Sequence, residues 1–241
     1  MKKSNLFLAL AAIAFAGAVA FASCEKEQAK DNVSNPGANP GPQNTPVFDD
    51  DCFYYDSDGS TMLFLPPVSD TIHVAIDTTA PADSLSAILD VLSNYGNVYR
   101  QSYVWRNSRY SAREYLVDVT NSNFKTSLFR ADLSRFQYVR YISQEHDTLN
   151  DYGDPLRIWF NDMITIADAP DANAIANTLN NLGIAYTGID TAFLNMHYVY
   201  VDKSESTINV SNRLAATGQF SFCNPHQVTI GGLIFDKKRV K

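Results

Sequence analysis

The sequence contains little cysteine, little histidine and fewer basic than acidic residues. Three cysteines and four histidines occur in 241 residues, and 19 Lys and Arg stand against 26 Asp and Glu, a net charge of −7. His226 follows Cys223 by three residues, but no second pair of this kind accompanies it, so the spacing does not predict a zinc site. An acidic chain also repels phosphate backbones, which argues against nucleic acid as a partner.

The local patterns that carry common enzyme chemistry are also missing. The sequence has no glycine-rich phosphate loop, no serine in a nucleophile elbow and no Ser/His/Asp protease motif. Asp56-Ser57-Asp58-Gly59 begins like a calcium loop, but it lacks the third ligand and the distal Glu, so it predicts a hairpin turn instead. His73 and His197 alternate within strand-like runs, which favours positions on a sheet face over catalytic roles. We therefore expect no enzymatic activity, no metal and no other cofactor.

The first 23 residues have the pattern of an export signal. Lys2 and Lys3 provide the positive start, and Leu6 to Phe21 is uncharged but too short and too rich in alanine for a permanent membrane span. The signal ends in Phe21-Ala22-Ser23-Cys24, which resembles a bacterial lipobox with Phe in place of the usual Leu. The resemblance implies cleavage before Cys24, lipidation of that cysteine and stable anchoring by at least two acyl chains. The alternative is an ordinary signal peptide followed by an incidental cysteine.

Residues 24–47 predict a disordered tether. They contain four prolines and several Gly, Asn and Gln, but no apolar cluster that could form a core. A chain of about 23 such residues spans ~25–30 Å on average, enough to clear a lipid headgroup layer. A lipidated cysteine with a polar linker is similar to the start of many lipoproteins of the Bacteroidota. The resemblance implies a protein of the cell envelope, lipid-anchored in the outer membrane, at its periplasmic face or at the cell surface.

Two stretches of the remaining chain repeat one pattern, with a constant offset from the first isoleucine onward. Each predicts one helix, with Pro and Asp in its first turn, an apolar pair four residues apart and Gly as a left-handed cap. The residues concerned are Pro81, Asp83, Ile88, Leu92 and Gly96 in the first copy and Pro170, Asp171, Ile175, Leu179 and Gly183 in the second.

The segments around these helices repeat as well. Each helix follows a strand-like run and precedes two further β-rich runs, a second helical pattern and an aromatic strand, Phe136–Val139 or Phe220–Cys223. The order β-α-β-β-α-β, found twice, predicts an α+β fold of two tandem ferredoxin-like units with antiparallel sheets. We expect an N-terminal hairpin and the first unit within residues 48–150, and the second unit and a tail within 151–241. The alternative is a single α+β domain with halves that are similar by chance.

Both ends of this folded body resemble a known family. The hairpin from Phe53-Tyr54-Tyr55 to Leu65-Pro66 is similar to the start of the N-terminal prodomains of subtilisin-like serine proteases from Bacteroidota. Tyr198-Val199-Tyr200-Val201, Thr217-Gly218-Gln219-Phe220 and Asn224-Pro225 follow the order found at the end of those prodomains. The resemblance covers roughly residues 53–229, and Asn224 stands where the family more often has Glu.

The family resemblance implies a function. Such prodomains assist the folding of their protease and inhibit it: their sheet packs on the enzyme, and the segment after the last strand enters the substrate cleft. Here that segment would be Pro225 to Gly232, or more of the tail to Lys241. Because the chain carries no protease motif, we expect a free-standing, non-enzymatic module that binds or inhibits a subtilisin-like protease. The contact residues implied are Phe222, Asn224, Pro225 and His226.

A second candidate for partner binding is a stretch rich in aromatic residues and Arg. Tyr103, Trp105, Arg106 and Arg109 have the composition of a binding hot spot. One buried and one solvated face of a hairpin would give the same composition. Carbohydrate also stacks on such rings, so the alternative function is a surface lipoprotein that binds glycans or acts as an adhesin.

Two sets of residues are candidates for covalent modification. Export permits a disulfide between Cys52 and Cys223, and two buried free thiols are the equal alternative. Five Asp-Ser/Thr-apolar triplets resemble the O-glycosylation sequon of the Bacteroidota, which implies a glycan on at least one of them. Some triplets are helix caps instead, as expected for Asp83. The acceptor residues would be Thr71, Thr78, Ser84, Thr148 and Thr191.

Overall fold

The computed structural model describes residues 46–51, 53–55, 62–65, 67–149, 155–193, 195–229 and 238–239. The signal peptide, Cys24, most of the predicted tether, Cys52 and the turn at 56–59 lie outside these residues. Within the described part of the chain, no helix is both long and apolar enough to cross a membrane.

The described residues form eleven strands and four helices. The first half of the chain contains β1 (Phe53–Tyr55), β2 (Met62–Phe64), β3 (Pro67–Asp77), α1 (Ala82–Ser93), β4 (Gly96–Arg106), β5 (Ser111–Val119), α2 (Thr126–Ser134) and β6 (Val139–Leu149). The second half contains β7 (Pro155–Ala167), α3 (Ala172–Asn181), β8 (Tyr186–Phe193), β9 (Met196–Val201), α4 (Thr207–Ala215), β10 (Phe222–Thr229) and β11 (Lys238–Arg239). The predicted N-terminal hairpin is confirmed, since β1 and β2 pair antiparallel.

The other nine strands form one antiparallel sheet. Their order is β11-β4-β5-β3-β6-β7-β9-β8, and β10 also pairs with β7. β7 connects the two halves of the sheet, because its first residues pair with β6 and its last residues pair with β9. Four helices and an antiparallel sheet confirm the predicted α+β class.

The helices of each half cover one face of the sheet. Apolar residues of β3 pack against α1 and α2, and apolar residues of β7 pack against α3 and α4. The predicted pairs Ile88–Leu92 and Ile175–Leu179 are buried in these two cores. Alternation along β3 directs His73 and Ala75 to the opposite face, which the helices leave free.

The two halves meet on this helix-free face. Ala75, Ala112 and Tyr141 of the first half pack against Trp159 of β7 and Val228 of β10. Trp159 has no exposed surface, and burying a large apolar side chain of this kind contributes roughly 2–3 kcal/mol. The junction between the halves is therefore a packed interior.

A short segment before β1 ties together helices of the two halves. Asp50 pairs with the buried side chain of Arg130 in α2. Arg130 also donates a 3.1 Å hydrogen bond to the carbonyl of Glu205, which precedes α4. Asp51 accepts a 2.8 Å hydrogen bond from Asn212 of α4. This segment, which follows the predicted tether, is thus bound to both halves.

The predicted bounds of two strands are wrong. The strands expected at Phe136–Val139 and Phe220–Cys223 are observed as β6 and β10, which begin at Val139 and Phe222. Phe136 and Phe220 instead pack at the edges of the helix-covered cores. β6 then continues through the buried residues Ser143 to His146. A hydrophobic pattern does not mark such a run as a strand, because its polar side chains are buried by partners distant in sequence.

The two predicted glycine caps also differ. Gly183 follows α3 with φ +64°, the left-handed cap that the sequence predicts. The same prediction is wrong for Gly96, which does not have a positive φ. A Cβ at Gly96 would lie 1.9 Å from the carbonyl oxygen of Asp118, so the close approach of β4 and β5 requires glycine there.

The left-handed cap gives a test of the fold. Gly183→Ala should lower the free energy of unfolding by about 1 kcal/mol, because a residue with a Cβ is strained at positive φ. No atom lies within 4 Å of the position that this Cβ would occupy, so a clash does not contribute. Urea unfolding followed by circular dichroism measures the loss. Asp168→Gly is the converse control, since Asp168 has φ 59°. Equal destabilisation by both variants would contradict the assignment.

Candidate functional site

Glu114 is a fully buried carboxylate on the helix-free face of the sheet. Its Oε1 accepts a 2.8 Å hydrogen bond from Trp159 Nε1 and another from the Tyr141 hydroxyl. Its Oε2 accepts a hydrogen bond from the Tyr103 hydroxyl and lies 3.4 Å from His73 Nδ1. These five residues are called the Glu114 cluster below. Donors from β3, β4, β6 and β7 therefore converge on one carboxylate, which compensates for its loss of water.

His73 lies between two carboxylates. Its Nε2 is 3.9 Å from Glu145 Oε1, an ion-pair distance, and its ring stacks on Trp159 with the centroids 4.0 Å apart. Burial alone would lower the pKa of His73, but the bond to Glu114 and the charge of Glu145 outweigh burial and raise this pKa. Burial alone would raise the pKa of Glu114, but His73 and the tyrosine hydroxyls outweigh it and lower this pKa. Both shifts favour the charged forms, an imidazolium beside a carboxylate.

The Glu114 cluster lies in the packed junction between the two halves. His73, Glu114 and Trp159 have no exposed surface. Among the described residues, no group of three or more His, Cys, Asp or Glu is arranged to hold a metal ion. What the cluster does is join strands of the first half to β7 of the second.

The predicted hot spot lies at the end of the β4–β5 hairpin, against the second half of the chain. The Trp105 ring lies 5.9 Å from the ring of His226 in β10. The Tyr103 hydroxyl is bound to Glu114, and Arg106 is exposed. The structure therefore brings Tyr103 and Trp105 into contacts within the chain, and partner binding by these residues stays a prediction.

Arg109 fixes the tip of this hairpin. Its guanidinium donates to both carboxylate oxygens of Asp190, at 2.7 and 3.2 Å, and lies 4.2 Å from the centre of the Tyr200 ring. This hydrogen bonding lowers the pKa of Asp190. Gly188 leaves room for the guanidinium, since a Cβ there would come within 2.2 Å of Arg109 Nη1. The paired side chains are 31% and 39% exposed, so their attraction contributes about 1 kcal/mol or less.

The residues implied by the prodomain resemblance lie within β10. These are Phe222, Asn224, Pro225 and His226. Pro225 stands beside a bulge in the pairing of β10 with β7, where a missing N–H is tolerated. The segment that was expected to leave the sheet at Pro225 remains in it to Thr229. Residues 230–232 of that segment lie outside the described residues, and Lys238–Arg239 of the tail pair with β4.

An open groove lies beside the tip of the hairpin. It has a volume of about 630 Å³, and its lining includes Asn107, Ser108, Met163, Asp190, Tyr198 and Tyr200. This groove, called the Tyr198 groove below, combines a half-buried tyrosine with amide, hydroxyl and carboxylate groups. Sequence reasoning missed it because the hairpin tip and β9 are far apart in the chain. The only local sequence feature that indicates the groove is the alternation of Tyr198 and Tyr200 along β9.

A second groove, of about 540 Å³, has a more charged lining that includes Arg109, Arg140, Asp162 and Lys203. Burial raises the pKa of Asp162 to about 6, although the Tyr110 hydroxyl and the nearby arginines act in the opposite direction. The cations of this groove already have partners. Arg109 is bound to Asp190, as described, Arg140 donates to Asp77 Oδ2 at 3.0 Å and Lys203 donates to the carbonyl of Phe136 at 2.6 Å.

The candidate modification sites differ in exposure. Thr71 is buried and donates to Asp118, Ser84 and Thr148 are half-buried, and Thr78 and Thr191 are exposed. Cys223 is buried and has no disulfide partner among the described residues, and burial raises the pKa of its thiol to about 12. Because Cys52 lies outside the described residues, its pairing with Cys223 stays a prediction.

The expectation that His73 and His197 occupy sheet positions is confirmed.

Comparison with known proteins adds no family to this arrangement. No protein-family model matches the chain, and no curated protein matches it. The described residues offer a closed, charged centre that joins the two halves and an open groove with aromatic and polar lining. The first connects the two halves, and the second is the feature suited to binding.

The Glu114 cluster gives a quantitative prediction. Glu114→Gln preserves size but removes the charge opposite His73, so the free energy of unfolding near neutral pH should fall by about 3–5 kcal/mol, the range for breaking a buried pair. Urea denaturation followed by circular dichroism measures this loss. Asp190→Asn is the matched control, because its pair with Arg109 is partly exposed, and it should cost about 1 kcal/mol or less. Similar small losses in both variants would contradict a central role for Glu114.

Proposed function

We propose that this chain is a non-enzymatic lipoprotein of the cell envelope that binds another protein as a protease prodomain does. The lipobox-like Phe21–Cys24 and the polar segment after it support the lipid anchor. The segment from Tyr198 to Pro225 resembles the end of protease prodomains, and this resemblance supports binding to a protease. A subtilisin-like protease is the proposed partner.

The proposal includes a fold of two tandem ferredoxin-like units. In such a unit the strands, numbered along the chain, lie in the sheet as 4-1-3-2. The first half has the sheet order β6-β3-β5-β4, and the second has β10-β7-β9-β8. Both orders fit 4-1-3-2 when β3 and β7 are taken as the first strands. This agreement between the halves is the observation that carries the proposal.

The proposed contact surface is the Tyr198 groove together with the chain after Thr229. A prodomain packs its sheet on the enzyme, but here the two halves of the chain pack on the helix-free face around Trp159 and Tyr141. Near β8 and β9 the second half of the sheet still presents the groove beside Tyr198 and Asp190. The cleft-entering segment would begin beyond Thr229, the last residue of β10.

An inhibition assay tests this proposal. The mature chain carrying Cys24→Ser, which cannot be lipidated, is mixed with subtilisin-like proteases of the same cell. We expect a complex and inhibition at micromolar concentration. Tyr198→Glu should weaken binding about tenfold or more, since it puts a charge into the contact. Leu128→Glu is the control, because Leu128 is 56% exposed on α2, away from the groove. Absence of both complex and inhibition would refute the proposal.

Glycan binding is the second candidate function, and the lining of the Tyr198 groove favours it. A tyrosine ring beside Asn107, Asp190 and Thr191 offers stacking and hydrogen bonding to a sugar. Tyr103 is less suited than Tyr198, because its hydroxyl is bound to Glu114. Binding on a glycan array that Tyr198→Ala abolishes and Tyr103→Phe preserves would favour this function over protease binding.

We also propose that Cys24 is lipidated and that Thr78 or Thr191 carries an O-glycan, since these two acceptors are exposed. A glycan on Thr78 is compatible with both protease binding and glycan binding, whereas Thr191 lines the Tyr198 groove. Intact mass of the native protein should exceed that of polypeptide plus lipid. The excess should disappear in Thr78→Ala or Thr191→Ala and persist in Thr71→Ala, and Cys24→Ser should lack the lipid mass. A native mass equal to polypeptide plus lipid would refute glycosylation.

A further inference from the structure

Trp159, at the junction between the halves, contacts both members of the buried His73–Glu114 pair. Trp159 of β7 stacks on the His73 ring with an angle of 14° between the planes, and its Nε1 donates to Glu114 at 2.8 Å. The next residue, Phe160, donates its backbone N–H to Ser143 Oγ of β6 at 3.0 Å. These contacts attach β7 to the first half.

The charge of His73 balances the groups that face it. Glu114 faces it from β5 and Glu145 from β6. Arg157 of β7, which is 51% exposed, lies 3.6 Å from Glu145 and 3.7 Å from Asp147. With His73 protonated, Glu114 and Glu145 each have a cation beside them, and Arg157 is shared with Asp147. Without that proton, Glu114 is a buried anion with no cation beside it, which is costly in a dry interior.

The hydroxyls that face His73 do not replace its charge. Tyr103 of β4 and Tyr141 of β6 both donate to Glu114. Burial and the Glu114 charge raise the pKa of both hydroxyls, so they stay protonated when His73 loses its proton. His73 is therefore the group of the cluster whose charge changes first as the pH rises.

We propose that protonated His73 acts as a pH-dependent clasp between the two halves. The imidazolium holds the face of Trp159 and the carboxylate of Glu114 together, and loss of its proton loosens β7 from the first half. A cation over the face of a tryptophan is attracted to the ring, and a neutral imidazole loses this attraction. The proposal does not depend on the identity of the partner.

The direction of the pH dependence follows from the neighbours. Because both carboxylates raise the pKa of His73 above its ordinary value of 6.5, the stabilising contribution is complete below pH 6.5. It is lost as the pH rises through the elevated pKa of the folded protein. His146 acts in the opposite sense: burial lowers its pKa to about 4, so its contribution is present above pH 6.5 and is lost on acidification. The clasp therefore opens on the alkaline side.

Tryptophan fluorescence tests the clasp. Only two tryptophans occur in the chain, so Trp105→Phe leaves Trp159 as the sole reporter. An imidazolium quenches a stacked indole, so emission should rise in one transition with a midpoint above about pH 6.5. His73→Gln should abolish the transition, and the control His146→Gln should preserve it. A flat profile between about pH 6 and 10, or a transition that persists in His73→Gln, would overturn the proposal.

Hydrogen exchange in the unsubstituted protein tests the loosening without relying on a variant that could fail to fold. After correction for the intrinsic pH dependence of exchange, the Phe160 amide should exchange at least about tenfold faster above the transition than below it. The Val117 amide, in the middle of β5, is the control and should not change by a comparable factor. Unchanged protection of Phe160 across the transition would show that His73 titrates without releasing β7, and would overturn the proposal.

Discussion

A single buried carboxylate determines how the two halves of this chain fit together. Glu114 has lost its water and is compensated by donors on four different strands, including Trp159 of the second half. Such a group is stable only when every donor is in position, because an unsatisfied buried charge costs several kcal/mol. Apolar packing around Trp159 tolerates small shifts, whereas the donor geometry at Glu114 does not. The donor geometry at Glu114 is therefore a strict constraint on how the strands around it are placed.

This arrangement explains why most residues of the predicted hot spot contact other parts of the same chain, although Arg106 is exposed. The β4–β5 hairpin needs aromatic residues and Arg because it crosses to the second half, where Trp105 meets His226 and Arg109 meets Asp190. Composition alone does not distinguish a surface for a partner from a surface for another part of the same chain. Once the hairpin is in position, its tip and β9 together form the Tyr198 groove.

What the sequence predicted correctly was local, and what it missed depended on distant contacts. The helices at Ile88–Leu92 and Ile175–Leu179 follow from a period of 3.6 residues, and Gly183 follows from a helix end. The same reasoning failed at Gly96, whose constraint is the carbonyl of Asp118 on the next strand. The sequence pattern also did not predict the polar part of β6, which includes Glu145. It did not indicate that Glu114 lies at the centre of a cluster. A polar residue buried by distant partners has the same local pattern as an exposed one.

The rigidity of the junction bears on how the protein would bind. Asp50 and Asp51 tie α2 to α4 on the helix side, and the Glu114 cluster ties β5 to β7 on the other side. With both sides fixed, the Tyr198 groove and the end of β10 keep one spacing before any partner arrives. A preorganised surface loses less conformational freedom on binding, so more of its contact energy appears as affinity. A change in the charge of His73 would act on this spacing, because it alters one of the two ties and leaves the other intact.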